Sequence, residues 1–157
     1  MKYYNLGSGI TKRKSPEYIN VDIREHKFVD IVADIRHLPI ESESVDGVMS
    51  DYAIEHLPRA DIEITLLEWV RIIKKGGWLE ITTVDLGELM NNWQGIPYEN
   101  MLDGIYGAQK YDEDLHKCGF TEQRLVEMFE CCELTDIKVK KFEHRKIPRI
   151  TIKGIKI

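Results

Sequence analysis

A short strand-like run at residues 2–6 passes straight into Gly7-Ser8-Gly9, and a second run at residues 18–21 ends on Asp22. Glycine is needed where a strand turns sharply and its backbone approaches a ligand, because a Cβ there would collide with it. A carboxylate at the tip of the neighbouring strand can accept both hydroxyls of a ribose. An ordinary tight turn with Asp22 as a turn residue is the alternative reading. The turn and the acid together favour two parallel strands with a nucleoside at their carboxyl ends.

The residues after Gly9 narrow the ligand. A dinucleotide site asks for a third glycine, a helix whose N-terminus holds the pyrophosphate, and an acid about 20 residues on. Here Lys12 occupies the third glycine position, and only residues 10–17, with Pro16 among them, precede the second strand. A parallel crossover needs about a dozen residues or more, so the first crossover helix is expected to be shortened or absent. Without it there is little helix dipole for a pyrophosphate. A ligand with ribose and adenine but no phosphate, such as S-adenosylmethionine, loses nothing by that. A nicotinamide oxidoreductase is therefore disfavoured, while a non-catalytic nucleoside-binding protein remains an alternative.

The rest of the chain alternates strands and helices. Residues 29–33 read as a third strand ending on Asp34, and residues 44–50 contain a fourth. Ile62, Leu66, Leu67, Val70 and Ile73 recur at helical period over residues 59–74, with Lys74, Lys75 and Gly76 as a basic last turn and glycine cap. Residues 77–84 form a fifth strand. Thr121 caps a helix to about Glu133, buried through Leu125, Met128, Phe129 and Cys132. Residues 136–142 and 147–157 alternate as a closing hairpin. The pattern predicts an α/β, Rossmann-like three-layer sandwich with a mainly parallel sheet and an antiparallel pair at one edge. Residues 85–117 are the least regular part.

Asn5-Leu6-Gly7-Ser8-Gly9, Ile19-Asn20-Val21-Asp22-Ile23, Ala33-Asp34-Ile35, Val45-Asp46-Gly47-Val48, Glu55-His56-Leu57, Gly76-Gly77 and His116-Lys117-Cys118-Gly119-Phe120 succeed one another in an order that resembles the class I S-adenosylmethionine-dependent methyltransferases. The likeness is to their small type 11 group, often associated with sugar, polysaccharide and other small-molecule methylation. It covers nearly the whole chain and implies strand order 3-2-1-4-5-7-6. It also implies that Asp34 accepts the adenine amino group, that Ile23 and Ile35 sandwich the ring, and that Ser50 or Asp51 lines the methionine end. Gly7, Ser8 and Gly9 then pass close to the methionyl and ribose portions, Asp22 binds the ribose, and Asn5 and Tyr52 complete the candidate cofactor set. The alternatives are turn formation for Asp34 and core packing for Ile23 and Ile35.

Two histidines are candidate bases for an attacking hydroxyl. His56 comes just after the fourth strand and is expected near the transferred methyl; His116 is the second candidate, and for a lone histidine bracing a loop is the alternative. Trp93, Tyr98, Tyr106, Gln109 and Tyr111 cluster with Asn91 and Asn92 in the irregular stretch. Aromatic faces with amide partners suit a polyhydroxylated acceptor such as a sugar, unless they only anchor a loop. Residues 85–117 are thus expected to form an acceptor-site or lid insertion in a single methyltransferase domain spanning 1–157.

A net charge of −5 argues against general nucleic-acid affinity, the run Lys12-Arg13-Lys14 reading as a solvated loop, and no Asn-Pro-Pro-Tyr sequence points to base methylation. No run approaches a membrane span, so a cytoplasmic protein is expected. Cys118, Cys131 and Cys132 are expected to be free thiols, the last two as small core residues, with no structural metal. A chain that opens on strand one is expected to leave its cofactor site open on one side. Residues 94–117, or a second copy of the chain, would be its cover.

Overall fold

The computed structural model describes residues 1–9, 17–110 and 114–157. The expected shortening of the first crossover helix, the basic run Lys12-Arg13-Lys14 and Tyr111 lie outside the described residues. Among the described residues five strands run parallel: β1 (Tyr3–Leu6), β2 (Tyr18–Asp22), β3 (Ile31–Val32), β4 (Val45–Asp51) and β5 (Ile73–Val84). The hairpin β6 (Leu134–His144) and β7 (Ile147–Lys156) closes the sheet, with β7 antiparallel to both β5 and β6. The order β3-β2-β1-β4-β5-β7-β6 is the one expected, and it reverses at β1, between β2 and β4.

Four α-helices among the described residues accompany the sheet: α1 (Ile62–Ile72), α2 (Leu86–Asn91), α3 (Tyr98–Tyr106) and α4 (Glu122–Cys131). Helix α1 buries Ile62, Leu66, Trp69, Val70 and Ile72 against β4 and β5 residues Val48, Leu79 and Ile81 in one core. Helix α4 starts where expected, its Thr121 hydroxyl accepting from the Arg124 amide at 3.3 Å. It buries Leu125, Met128 and Phe129. No helix among the described residues is long and apolar enough to cross a membrane.

Several sequence expectations are corrected. Lys74, Lys75 and Gly76 do not close α1: the helix ends at Ile72, and these residues form a bulge inside β5. Pairing there jumps from Val45–Ile73 to Gly47–Trp78, and Gly76 takes a φ of 78°. Leu67 points to solvent. The third strand shrinks to two residues at the sheet edge. Helix α4 stops at Cys131, which is exposed, while Cys132 is half-buried; both are free thiols, as is Cys118. Residues 85–117 carry α2 and α3. Asp85, which caps α2 by accepting from the Glu88 amide at 3.0 Å, was a readable start signal, because an acid three residues before a glutamate marks a helix beginning.

Helix α1 also fixes the loop after β3. The Trp69 indole donates to the Ile35 carbonyl at 2.9 Å, Glu68 accepts from the Leu38 amide at 2.7 Å, and Arg36 reaches Asp61 at 2.6 Å. Trp69 is fully buried. Trp69→Phe leaves the Ile35 carbonyl without its donor and a gap beside it. Urea denaturation is expected to show a loss of about 2 kcal/mol, from the unpaired buried acceptor and the lost packing.

Candidate active site

At the carboxyl ends of β1, β2, β3 and β4, beside the reversal of strand order, lies a cleft of about 400 Å³. This is where open α/β sheets hold ligands, and the volume falls within the range of small-molecule sites. It is lined by the sequence-expected Gly7, Ser8, Gly9, Asp22, Ile23, Asp34, Ile35, Asp51, Tyr52 and His56. Arg24, Arg36 and Lys117 join them. Asn5 and Ser50 are not among its lining residues. Asn5 is buried and donates to the Asn20 side chain at 3.1 Å, and the buried Ser50 hydroxyl donates to the Leu6 carbonyl at 3.0 Å. Both tie neighbouring strands together behind the cleft.

The turn after β1 has left-handed backbone at Gly7 (φ 67°) and Gly9 (φ 58°). A Cβ on Gly7 would stand 2.3 Å from the Cβ of Ala53. The turn is held by its acid: Asp22, buried at the end of β2, accepts from the Gly9 amide at 2.7 Å through one oxygen. Its other oxygen takes the Arg24 amide at 3.0 Å and the Arg24 Nε at 3.2 Å. A carboxylate has about four acceptor positions, so a position remains beside Gly9. A second opens if the half-exposed Arg24 side chain turns away.

Asp34 is gripped by Arg36, whose amide and Nε reach one oxygen at 2.9 and 3.0 Å while the terminal nitrogen reaches the other at 2.7 Å. The guanidinium holds the Asp34 carboxyl below its ordinary range. Asp34 therefore forms the turn that one reading gave it and also faces the cleft. Ile23 is 57% exposed and so is not a core residue, whereas Ile35 is buried beneath the cleft wall. Tyr52 adopts a φ of 54°, uncommon for a non-glycine residue. Its amide donates to the Thr82 carbonyl at 2.8 Å, and the Arg149 guanidinium lies 4.8 Å from its ring centre.

A second cavity, of about 240 Å³, adjoins the first and shares Lys117 with it. Its wall includes Glu55, Thr83, Leu86, Ile105, Tyr106 and His116. The two candidate bases stand between the cavities with ring centres 5.0 Å apart, edge to face. His56 Nδ1 lies 3.2 Å from the Leu115 carbonyl and His116 Nδ1 3.2 Å from the Gly104 carbonyl. A carbonyl can only accept, so each Nδ1–H donates and each neutral ring keeps its lone pair on Nε2. Burial, then the neighbouring His56, lowers the His116 pKa. The structure thus joins the bracing role and a free basic nitrogen in the same ring.

Sequence reading missed Glu55. It sits on a single 3-10 turn, Ile54–His56, and is 1% exposed; its backbone carbonyl accepts from the Lys117 and Cys118 amides at 2.8 and 3.1 Å. An acid between Ile54 and a histidine in an otherwise apolar stretch was the available signal. Trp93 and Tyr98 are exposed and line neither cavity; Tyr106 is exposed too but contributes to the second.

Comparison with known proteins agrees with this geometry. Residues 11–81 match the family model described as a methyltransferase domain. A malonyl-[acyl-carrier protein] O-methyltransferase of Methylococcus capsulatus is 30% identical over 98 residues, covering 60% of this chain and 35% of that protein. The chain spans about a third of the length of the curated relatives it matches. Among solved structures, a methyltransferase from Archaeoglobus fulgidus matches with a TM-score of 0.70 at 16% identity, over 99% of this chain and 86% of that one. Another from Thermotoga maritima gives 0.67 at 20% identity, over 99% and 82%. These two share the fold. The family match over residues 11–81, the strand order and these neighbours together support a class I S-adenosylmethionine-dependent methyltransferase of the type 11 group.

Proposed function

We propose that this chain transfers a methyl group from S-adenosylmethionine to a small-molecule acceptor, with a hydroxyl of a sugar or polysaccharide precursor as the acceptor group. The observation that carries the reading is the convergence of the Gly7 turn, Asp22, Asp34 and Asp51 on one cleft from four successive strand ends. The residues present fit the cofactor. Gly7 lets the turn pass against Ala53, where a Cβ would collide, Asp22 and Asp34 both line the cleft, and Ile23 offers it an exposed apolar face. Asp22 receives the ribose hydroxyls, Asp34 the adenine amino group, and Ile23 and Ile35 the faces of the ring. Ser8 and Gly9 stay close to the ribose, and Asp51 and Tyr52 line the methionine end.

When bound, the cofactor supplies an electrophilic methyl on a sulfonium. The chain's part is to align the acceptor, exclude water and accept a proton. His56, in the wall of the cleft with Nε2 unprotonated, takes the proton of the attacking hydroxyl; His116 stands behind it toward the acceptor side. The exposed ring of Tyr106, in the wall of the second cavity, supports a sugar acceptor, since such a face covers apolar C–H surface. Residues 1–157 act in this reading as one methyltransferase domain, with 85–117 as its acceptor-side segment and a second copy of the chain as an alternative cover. A cytoplasmic location belongs to the same proposal. The curated relatives are named for O-methylation of malonyl-[acyl-carrier protein]; that acceptor is not carried over, because only a third of their length is matched.

The test is mass-spectrometric release of S-adenosylhomocysteine from S-adenosylmethionine in the presence of hydroxyl- and amine-bearing acceptors. Acceptor-dependent release is expected. His56→Ala should lower turnover by about a hundredfold, the usual contribution of a general base, while S-adenosylhomocysteine affinity stays within a few-fold. Unchanged turnover removes His56 from the mechanism. Tight cofactor binding with no release across the panel favours the non-catalytic alternative.

A further inference from the structure

Glu55 is a buried carboxylate, 1% exposed. It lines the second cavity, and neither carboxylate oxygen has a hydrogen-bond partner among the described residues. Thr83 Oγ1, on β5 beside it, is near enough to favour the charged carboxylate but completes no hydrogen bond either. A buried charge left in this state is costly unless something pairs with it. The rest of the wall is mostly apolar and includes Val84, Leu86, Ile105 and Tyr106. The charged and titratable groups facing Glu55 are Asp51 at the end of β4, Tyr52 just after it, Arg149 on β7, and His116, Lys117 and Cys118 on the segment that crosses its backbone. Arg149 lies near enough to be felt but completes no ion pair with it, and its own Nε has no hydrogen-bond partner among the described residues.

We propose that the second cavity is the acceptor site and that Glu55, with Thr83, binds the acceptor through a hydroxyl or amine donor, so that neutral and cationic acceptors are admitted and carboxylates are rejected. The proposal rests on the methyltransferase reading and names its acceptor chemistry. The geometry meets its needs. The cavity shares Lys117 with the cofactor cleft, His56 and His116 stand between the two, and a small apolar body can fill the remaining wall. A donor group satisfies the two orphan oxygens, whereas an incoming carboxylate meets like charge in a low-dielectric pocket. Glu55 is an acceptor-binding residue in this scheme, and the proton of the reacting group goes to a histidine.

Burial raises the Glu55 carboxyl from 4.5 to about 7. The carboxylate that pairs with a cationic donor is therefore present above about pH 7 and protonated below it. Binding of a permanently protonated amine strengthens as pH rises through that value. In the empty protein the sign is opposite: stability present below the unfolded pKa is lost as pH rises through the folded one.

The experiment uses the full chain saturated with S-adenosylhomocysteine and three probes of matched shape: benzylamine, benzyl alcohol and benzoate, titrated by ligand-observed NMR from about pH 6 to about pH 8, a window that brackets the raised carboxyl. Benzylamine and the alcohol are expected to bind, with benzoate at least about tenfold weaker. Benzylamine affinity should rise with pH in the wild type. In Glu55→Gln it should fall by about tenfold and become flat, with S-adenosylhomocysteine affinity unchanged. Because the wild-type pH profile needs no variant, a folding defect in Glu55→Gln leaves the proposal open to refutation. Equal binding of benzoate, a flat wild-type profile, or no binding of any probe overturns it. If S-adenosylhomocysteine itself fails to bind, the cofactor reading fails instead, and the amine titration still reports on Glu55.

Discussion

Asp22→Ala is expected to raise the dissociation constant for S-adenosylhomocysteine by about a hundredfold. The carboxylate lies buried at the end of β2, its orientation set by the Gly9 amide at 2.7 Å and the Arg24 amide at 3.0 Å. A ribose diol offers it two charge-assisted hydrogen bonds. At about 1.5 kcal/mol each these sum to about 3 kcal/mol, the free-energy equivalent of that hundredfold. Alanine also frees the Gly9 amide, so the turn after β1 loses a tether. Asp22→Asn separates the two effects, because an amide oxygen can still accept from Gly9 but loses the charge. The asparagine variant should fall between wild type and alanine when titrated calorimetrically. An alanine variant with wild-type affinity would mean that Asp22 serves the turn alone.

Gly7→Ala is expected to abolish measurable cofactor binding and to destabilise the protein itself. Left-handed backbone costs an alanine about 1 kcal/mol. The added methyl would stand 2.3 Å from Ala53 Cβ, an atom fixed to the backbone just after β4, so one of the two strand ends must move. Overpacking of this kind adds about 2 kcal/mol. The displaced segments carry Ser8, Asp51 and Tyr52 into the same cleft. Gly9→Ala is the control. Gly9 shares the positive φ, but its nearest neighbour among the described residues is an Arg24 nitrogen at 3.9 Å, so against them only the conformational cost applies. Thermal melts should order the variants wild type, Gly9→Ala, Gly7→Ala, and equal melting of the two alanine variants would contradict the crowding argument.

The strand ends that line the first cleft were legible because their chemistry is local. A glycine turn and acids at the tips of short apolar runs are visible without knowing what packs where. Asn5 and Ser50 show the opposite case: in the sequence a polar residue beside a glycine turn looks available, and only strand pairing shows Asn5 bonded to Asn20 and Ser50 to the Leu6 carbonyl. The Lys74-Lys75-Gly76 signature imitates a helix end but serves a β-bulge, since Ile73 already pairs with Val45. Helices α2 and α3 are too short for periodicity to announce them. Glu55 offered only a faint signal, for a further reason. Its burial is created by residues 116–118, far along the chain, where the Lys117 and Cys118 amides fold over its carbonyl.

Whether the cleft at the ends of β1 to β4 is a site for S-adenosylmethionine is tested most directly by calorimetric titration of the wild-type protein with S-adenosylhomocysteine, with NAD as the control. Saturable one-site binding of S-adenosylhomocysteine and no heat from NAD is the expected result. Binding of NAD in its place would return the glycine turn and Asp22 to a dinucleotide site and contradict the assignment.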